Sequence, residues 1–435
     1  MSAKLPPSLP GSFLFGHLSH LKGDVLGFYA KSARECGDVA LLRFGLKHVW
    51  LVSHPDLIAE VLSSRDFTKH YALRMNRMLL GDGLLSSEGD FWLRQRRLIQ
   101  PPFLRARVLK HGAAFVELAE QRVASWRDGE SRDLHAEMRG LTMGIAARTL
   151  FGAEVGSSDG AEVAAALEGA TAAFSDRLFS VLRLPEWFPI PSNVRSWYAI
   201  RRLDRILYSI IARSRRDGPG DDLLSILLHA RDEHGSGMTE KQLRDEAMTL
   251  FLAGHETTAL ALTYALHLLA RHPDKAAKLR EEIDALGAPP TVDDLPRLRY
   301  AEQVALEAMR LYPPAYAIGR QSVAACRLGD YVLPRGGTVL MSQWVAHRDP
   351  RWWDAPEEFR PERWTAAMQE ALPRHAYFPF GGGPRVCVGN TFAMVELVLV
   401  LAVLGRWRYE ALEPLRFRPR ITLGHEGPVR MVVRR

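Results

Sequence analysis

The chain has 435 residues, 47% apolar and 25% charged, which excludes a disordered, collagen-like or disulfide-dense protein. Lys and Arg (57) exceed Asp and Glu (50) by seven, a mildly basic balance too diffuse to indicate nucleic-acid binding. Three widely spaced cysteines suit neither a disulfide framework nor a paired zinc motif, and no apolar run approaches the ~20 residues of a membrane span, so we expect a soluble cytoplasmic protein.

The first half of the chain predicts an extended lead-in, one hairpin and then helices. Prolines and glycines fill the lead-in, two apolar runs around Gly45 indicate the hairpin, and His54-Pro55-Asp56 begins the first amphipathic helix. An apolar loop interrupts the helical periodicity that follows. The predicted elements are the lead-in at 1–20, the hairpin at 39–52, helices at 54–63 and 91–99, mostly helical periodicity over 105–214, and the loop at 184–191.

The second half of the chain contains the longest predicted helix. Thr239 and Gln242 have the spacing of a capping box, and the helical period then continues to His272, where Pro273 ends it. Its 34 residues would extend about 50 Å, enough to cross a whole domain. The remaining predicted elements are a helix at 300–311, short strands at 328–341, a helix after Gly389 and closing strand-like segments. Nothing alternates as βαβ, so we predict a mainly α protein.

Cys387 lies in the segment Phe380–Gly389, where three consecutive glycines and a proline are incompatible with a regular helix or strand. The helix expected after Gly389 would bring its positive end near the sulfur, and Arg385 is two residues away. Both features favour a thiolate, which could be a nucleophile, a redox thiol or a metal ligand. A merely buried cysteine is the alternative.

The middle of the long helix has an unusual composition. Gly254, Glu256, Thr257 and Thr258 interrupt an apolar stretch, although glycine and β-branched residues disfavour helix. Such a conflict indicates a functional position, and small Ala253 beside Gly254 would leave room for a flat group. A zinc-protease motif is excluded because position 259 is alanine, and a polar stripe facing solvent is the alternative.

Glu307 and Arg310 lie three residues apart among apolar neighbours, so they would share one face of a helix. Their setting predicts a buried ion pair, which would need further partners, and Arg363 of the Pro361–Trp364 segment is a candidate. Glu357 and Arg360 have the same spacing, so an exposed ion pair is the alternative.

Together these motifs resemble those of the cytochrome P-450 family of haem-thiolate enzymes, over nearly the whole chain. The resemblance implies one domain over residues 1–435, a large helical domain with small peripheral β-sheets, a proline-rich lead-in at 1–20 and a haem-thiolate loop at 380–389. The motif residues are Phe380, Gly383, Arg385, Cys387 and Gly389 in the haem loop; Ala253, Gly254, Glu256 and Thr257 in the oxygen-activating helix; Glu307, Arg310 and Arg363 as a structural triad; and Trp92 with Arg96.

By that resemblance, Cys387 binds the iron of haem b, and its thiolate favours cleavage of the O–O bond. Glu256 and Thr257 would be catalytic and deliver protons. The residues expected to contact the haem are Trp92, Arg96, Ala253, Arg320, Phe380, Arg385 and Gly389. The resemblance also implies a mostly apolar substrate pocket, lined by Leu85, Phe251, Ala253, Thr257, Ala315, Tyr316, Ala317 and Ile318, which suits a fatty acid, a terpenoid or another lipophilic molecule.

The implied activity is a monooxygenase, acting as a monomer, that takes NAD(P)H-derived electrons from a ferredoxin or flavodoxin with its reductase. Basic residues near the implied docking face are Arg94, Arg96, Arg97, Arg105, Arg107 and Lys110. A peroxygenase driven by hydrogen peroxide and a non-catalytic haem sensor or carrier are the alternatives. In the resembled fold the apolar loop at 184–191 covers the substrate entrance, and we expect it to be an exposed lid, with burial as a small satellite core as the alternative.

Overall fold

A computed structural model describes residues 5–21, 23–70, 77–152, 188 and 190–435, and helix is the main secondary structure in this part of the chain. The α-helices are Val25–Cys36 (α1), Pro55–Ser63 (α2), Arg77–Leu80 (α3), Gly89–Ile99 (α4), Arg105–Val108 (α5), Gly112–Ala124 (α6), Leu134–Phe151 (α7), Pro191–Asp217 (α8), Leu223–His229 (α9), Glu240–Arg271 (α10), Pro273–Asp284 (α11), Arg299–Leu311 (α12), Gln343–Ala346 (α13), Ala366–Ala371 (α14) and Asn390–Leu404 (α15). None of these described helices is both long and apolar enough to cross a membrane.

The strands are short and form small sheets. They are Val39–Phe44 (β1), Lys47–Val52 (β2), Phe67–Lys69 (β3), Glu130–Asp133 (β4), Ile318–Ser322 (β5), Cys326–Leu328 (β6), Tyr331–Leu333 (β7), Thr338–Met341 (β8), Arg408–Ala411 (β9), Phe417–Pro419 (β10), Leu423–His425 (β11) and Arg430–Arg434 (β12). The largest sheet has the order β1-β2-β8-β5-β3, in which only β2 and β8 are parallel. The others are β4-β12-β9 and the hairpins β6-β7 and β10-β11.

The described residues group into two compact units, each assembled from segments far apart in sequence. The first unit comprises the described parts of Met1–Tyr71, Gln303–Cys387 and Arg416–His425, and it contains the five-stranded sheet. Its apolar core includes Trp50, Phe67 and Met341. The second unit comprises the described parts of Ala72–Glu302, Val388–Leu415 and Glu426–Arg435. Within it, α10 packs against α7, α8 and α15.

Local sequence signals predicted the long helix well. In the capping box, Gln242 N donates to Thr239 Oγ1 at 3.2 Å, and Thr239 N donates to Gln242 Oε1 at 2.9 Å. The helix α10 therefore begins one residue after Thr239 and ends at Arg271, for 32 residues. The mainly α fold, the hairpin at 39–52 and the helices at 54–63, 300–311 and after Gly389 are also confirmed.

Two expectations need correction. The mostly helical stretch from residue 105 to 214 contains the strand β4, because Glu130–Asp133 pairs with β12 near the end of the chain. The lead-in is not extended throughout, since Leu18–Leu21 forms a turn of 3₁₀ helix. Of the predicted lid loop, residues 184–187 and 189 lie outside the described residues, while Phe188 is exposed.

Candidate active site

The segment Phe380–Gly389 forms a tight loop that presents Cys387 at the surface of the first unit. The Cys387 N–H donates to the Phe380 carbonyl at 2.9 Å and closes the loop, and Cys387 is exposed. Gly381 and Gly383 have φ angles of +73° and +63°, which side-chain-bearing residues rarely adopt. The thiol of Cys387 is therefore accessible to a ligand rather than packed in a core.

Neighbouring atoms lie close to the glycines of this loop. A Cβ at Gly382 would lie 2.6 Å from His375 Nε2, and one at Gly383 would lie 2.3 Å from the Leu62 carbonyl oxygen. The loop consequently rests on the end of α2. A Cβ at Gly381 would lie 3.3 Å from Ile318, which places the start of β5 beside the same loop.

Arg320, Arg385 and Phe380 also lie in the first unit. Arg320 is buried on β5, and its Nη1 donates to the Gly319 carbonyl at 3.1 Å. Arg385 and Phe380 are half-buried in the cysteine loop. Guanidinium groups are suited to bidentate bonding of carboxylates. This unit therefore brings together an exposed thiol and arginines with the right chemistry for the iron and the propionates of a haem.

In the second unit, the middle of α10 has an open face. Ala253 and Gly254 are exposed, although Phe251, His255 and Thr258 beside them are buried, and a Cβ at Gly254 would meet no atom within 4 Å. Thr257 lies one turn from Ala253 and donates from Oγ1 to the Ala253 carbonyl at 2.7 Å. The polar-stripe alternative is disfavoured, because small residues and one hydroxyl form an open strip suited to a flat group.

The carboxylate of Glu256 is directed towards α7. Its Oε1 lies 3.7 Å from His135 Nε2 and its Oε2 lies 4.0 Å from Arg139 Nε, while His135 Nδ1 is 3.4 Å from Thr263 Oγ1. Burial acts to raise the pKa of Glu256. The interaction with His135 and the charges of His255 and Arg139 outweigh burial and lower this pKa below its ordinary value. Glu256 is therefore held ionised at neutral pH.

This arrangement predicts a pH dependence of stability. Because the folded-state pKa of Glu256 is lowered, its ionisation stabilises the protein fully above the ordinary value of 4.5, and the stabilisation is lost as the pH falls through the folded-state value. Urea unfolding of the wild type and Glu256→Gln, from pH 7 to below the folded-state pKa of Glu256, measures this effect. The difference in unfolding free energy should shrink on acidification, and a constant difference would contradict the ionised assignment.

Glu307 and Arg310 form a buried ion pair at the centre of a network. Arg310 donates from Nε and Nη2 to the two carboxylate oxygens of Glu307, each at 2.9 Å, and both side chains are fully buried. Arg363 Nε and Trp364 Nε1 also donate to Glu307, at 3.0 and 2.9 Å. The buried pair and the predicted third member Arg363 are confirmed, whereas nothing in the sequence predicted Trp364 as a partner of Glu307.

A model of the cytochrome P-450 family matches residues 6–413 of the chain. The chain belongs to the cytochrome P-450 family. Cyclooctatin synthase from Streptomyces melanosporofaciens is 36% identical over 98% of this chain and 94% of its own length. Pentalenene oxygenase from Streptomyces avermitilis is 34% identical over 94% of this chain and 92% of its own. The crystal structure of the cytochrome P-450DA heme domain has a TM-score of 0.90 at 28% identity, covering 99% of this chain and 98% of that one.

The residues of this P-450 fit the haem-thiolate cofactor that its family implies. The cysteine loop exposes one thiol, and the open strip on α10 has no Cβ at Gly254 that would obstruct a flat ring. Trp92 and Arg96 lie one turn apart on α4, Trp92 buried and Arg96 half-buried. A third relative, cyclooctat-9-en-7-ol 5-monooxygenase from Streptomyces melanosporofaciens, is 36% identical over 92% of this chain and 88% of its own length. Its name and that of pentalenene oxygenase agree with these features, and the chain is accordingly a P-450 monooxygenase.

Phe251, one of the residues expected to line the pocket of the P-450, packs away from Ala253. It is buried with its ring 5.5 Å from Phe151 and 5.4 Å from His255, and the helical period puts it opposite Ala253. Tyr316 donates its hydroxyl proton to the Arg420 carbonyl at 2.8 Å, and this bond fixes its ring against the β10-β11 connection. Leu85, Ala315, Ala317 and Ile318 are half-buried, as is Thr257.

The basic cluster of the P-450 is partly neutralised. Arg94 Nε lies 2.6 Å from Asp232, Arg97 lies 3.6 Å from Glu233, and Lys110 lies 3.5 Å from Asp221. Three of the six basic residues therefore have acidic partners. Arg105 and Arg107, on α5, are exposed.

Sequence reasoning missed the two α7 residues that hold Glu256. His135 and Arg139 are four residues apart and so share a helix face, but nothing in that spacing identifies a carboxylate more than a hundred positions later. The loop before α4 was also missed, where Asp82 N donates to Asp245 at 3.0 Å and Leu84 N donates to Glu246 at 2.8 Å. These bonds anchor the segment that carries Leu85 to the start of α10.

Proposed function

We propose that this monooxygenase inserts one oxygen atom from O₂ into a lipophilic, terpenoid-like molecule, with electrons from NAD(P)H delivered by a separate ferredoxin or flavodoxin and its reductase. The observation that carries the proposal is the open strip of Ala253 and Gly254 on an otherwise buried helix, beside Glu256 and Thr257. An apolar substrate needs an open apolar surface, and proton transfer needs polar groups. The strip offers the first, and Glu256 and Thr257 beside it offer the second.

In the proposed holoenzyme, Cys387 would ligate the iron, and Phe380 and Gly389 would lie beside it in the loop. Trp92, Arg96, Arg320 and Arg385 would hold the propionates through charge-assisted bonds. When bound, the haem supplies the activation of oxygen. The protein's own contribution is to bind and orient the substrate, to limit access of water and to manage protons.

Glu256 and Thr257 have complementary roles in proton transfer. The Thr257 hydroxyl donates its proton to the Ala253 carbonyl, so its oxygen lone pairs remain available to accept a hydrogen bond. Glu256 is half-buried and held ionised by His135 and Arg139, so it can accept hydrogen bonds from water molecules that carry a proton inward. An acid-base pair of this kind is needed when O₂ must be reduced, whereas hydrogen peroxide already carries those protons and electrons.

The substrate class rests on the lining residues and on the relatives. Leu85, Ala315, Ala317 and Ile318 offer apolar side chains that are only half-buried. Two relatives are named for oxidising cyclooctat-9-en-7-ol and pentalenene, which are terpenoids. Apolar lining with few polar groups suits a molecule recognised by shape more than by hydrogen bonding.

Reconstitution tests the function directly. The purified holoenzyme is incubated with NADPH, a surrogate ferredoxin and its reductase, and cyclic terpenoids that displace the iron-bound water in a spectral titration. NADPH-dependent formation of a monohydroxylated product is expected. Product with hydrogen peroxide alone would identify a peroxygenase, and terpenoid binding without turnover under either condition would identify a sensor or carrier.

Thr257→Ala should uncouple the enzyme without unfolding it. Alanine is the better helix former, so stability should hold, while loss of the hydroxyl should lower the product formed per NADPH by about ten-fold or more. Hydrogen peroxide should accumulate in place of product. The matched control is Thr258→Ala, because Thr258 is buried and bonds the Gly254 carbonyl one turn back. Equal coupling in the two variants would remove Thr257 from the proposal.

A further inference from the structure

The lead-in covers one edge of the five-stranded sheet. Among the described strands, β1 is at the end of the sheet and pairs with β2 alone. On the other side of β1, the Leu41 N–H donates to the Pro7 carbonyl at 2.8 Å, and the Arg43 carbonyl accepts from the His17 N–H at 2.6 Å. Since the backbone groups of an uncovered edge strand can pair with another chain, these bonds protect the sheet.

One acceptor that the lead-in offers to β1 is a histidine ring nitrogen. The Arg43 N–H donates to His17 Nδ1 at 3.0 Å, and His17 Nε2 lies 3.0 Å from the Leu9 carbonyl oxygen. Because a carbonyl oxygen only accepts, Nε2 must carry the ring proton, and a ring that accepts at Nδ1 must be neutral. The two hydrogen bonds therefore assign both the tautomer and the charge of His17.

The surroundings of the His17 ring are unfavourable for a positive charge. The residue is 2% exposed, and burial of an unpaired charge is costly. The lead-in and α1 contribute no charge beside the ring, since a Cβ at Gly11 would lie 2.8 Å from it and the uncharged Phe28 ring is 5.0 Å away. The titratable and charged groups next to it are His20 in the 3₁₀ turn, with its ring 6.4 Å away, and Arg43 on β1. Both of these become or are cations, and so neither can stabilise a charged ring.

We propose that protonation of His17 releases the lead-in from β1. The second proton would be bound at Nδ1 and would point at the Arg43 N–H, so this hydrogen bond would be lost, whereas the bond from Nε2 to Leu9 would survive. The ring and the segment bonded to it would therefore leave the strand together, which opens the N–H groups of Leu41 and Arg43 to solvent. An unperturbed imidazole changes its charge between about pH 5 and 8, so the lead-in is bound at the upper end of this range and released as the pH falls. The inference does not depend on the proposed reaction.

Site-resolved hydrogen exchange of the purified full-length holoenzyme, from about pH 8 to about pH 5.5, tests the proposal. The protection factors of the Leu41 and Arg43 amides are corrected for the intrinsic exchange rate at each pH. Because release takes up one proton, we expect both factors to fall by about ten-fold for each pH unit once the ring titrates. The amide of Leu51, on the neighbouring strand β2, is the internal reference, and its protection factor should stay constant.

Two histidine variants separate the effect of His17 from other effects of acid. In His17→Asn, the amide oxygen can accept from the Arg43 N–H throughout this pH range, so the protection factor of Arg43 should no longer depend on pH. The matched control is His20→Asn, which should keep the wild-type dependence. An unchanged haem spectrum verifies that each variant is folded.

Three results would overturn the proposal. The first is a constant protection factor for Leu41 and Arg43 in the wild type, and the second is the wild-type dependence in His17→Asn. The third is a parallel loss of protection at Leu51, which would mean that acid opens the whole sheet and not its covered edge.

Discussion

Replacing Cys387 with serine should abolish the red-shifted Soret band that marks thiolate ligation in the reduced carbon monoxide complex. A serine hydroxyl stays protonated near neutral pH and donates far less electron density to iron than a thiolate does. The loop itself should persist, because the backbone bond from residue 387 to the Phe380 carbonyl does not involve the side chain. The spectrum and product formation should therefore both be lost in a folded protein.

The other two cysteines are internal controls. Burial, followed by the charge of Glu35, raises the thiol pKa of Cys36, and burial with Asp66 and Glu60 raises that of Cys326. Both should remain neutral thiols, so Cys36→Ser and Cys326→Ser should keep the thiolate spectrum. A wild-type band in Cys387→Ser would mean that another residue is the ligand.

Breaking the buried pair of Glu307 and Arg310 should destabilise the fold by about 3–5 kcal/mol. In Arg310→Met, the carbonyls of His347, Pro356 and Glu358 lose the guanidinium that donates to them. Glu307 then keeps its negative charge in a buried site with fewer donors. The free energy of unfolding by urea measures the effect, and a decrease of less than about 1 kcal/mol would contradict it.

The exposed pair of Arg360 and Glu358 provides the comparison. Its Nη2–Oε2 distance of 2.7 Å is as short as that of a buried pair, yet both side chains are in solvent. Water and salt screen such a pair, so Glu358→Gln should leave the unfolding midpoint close to the wild-type value. A large loss in both variants would show that burial is not what distinguishes the two pairs.

The sequence predicts features that arise from neighbouring residues. The capping box at Thr239 and Gln242 determined the start of α10 to within one residue, and the glycines before Cys387 indicated an irregular loop. Both depend on contacts only a few positions apart. Spacing alone does not determine which residues pair. Glu307 and Arg310, three residues apart, form a buried ion pair. Glu357 has the same spacing from Arg360 but pairs with Arg348 instead.

Contacts between distant segments were beyond prediction. The pairing of β4 with β12 joins residues about 300 positions apart, and a short polar strand has no alternating pattern to announce it. The resemblance to the P-450 family placed Phe251 in the pocket. Its ring packs against Phe151 of α7, a contact between distant segments that the sequence does not show.

The crowding around Gly382 and Gly383 has a consequence for engineering this enzyme. A Cβ at Gly383 would meet the Leu62 backbone carbonyl, and the φ angle there is +63°, so a substitution should disturb the loop. At Gly382 the crowding atom is the tip of the His375 side chain, so a substitution there should be less damaging. A mutant library aimed at new substrates should therefore leave this loop unchanged. Substitutions are better placed at Leu85, Ala315 and Ala317, which the proposed function assigns to the substrate pocket, because these side chains are half-buried and lie outside the cysteine loop.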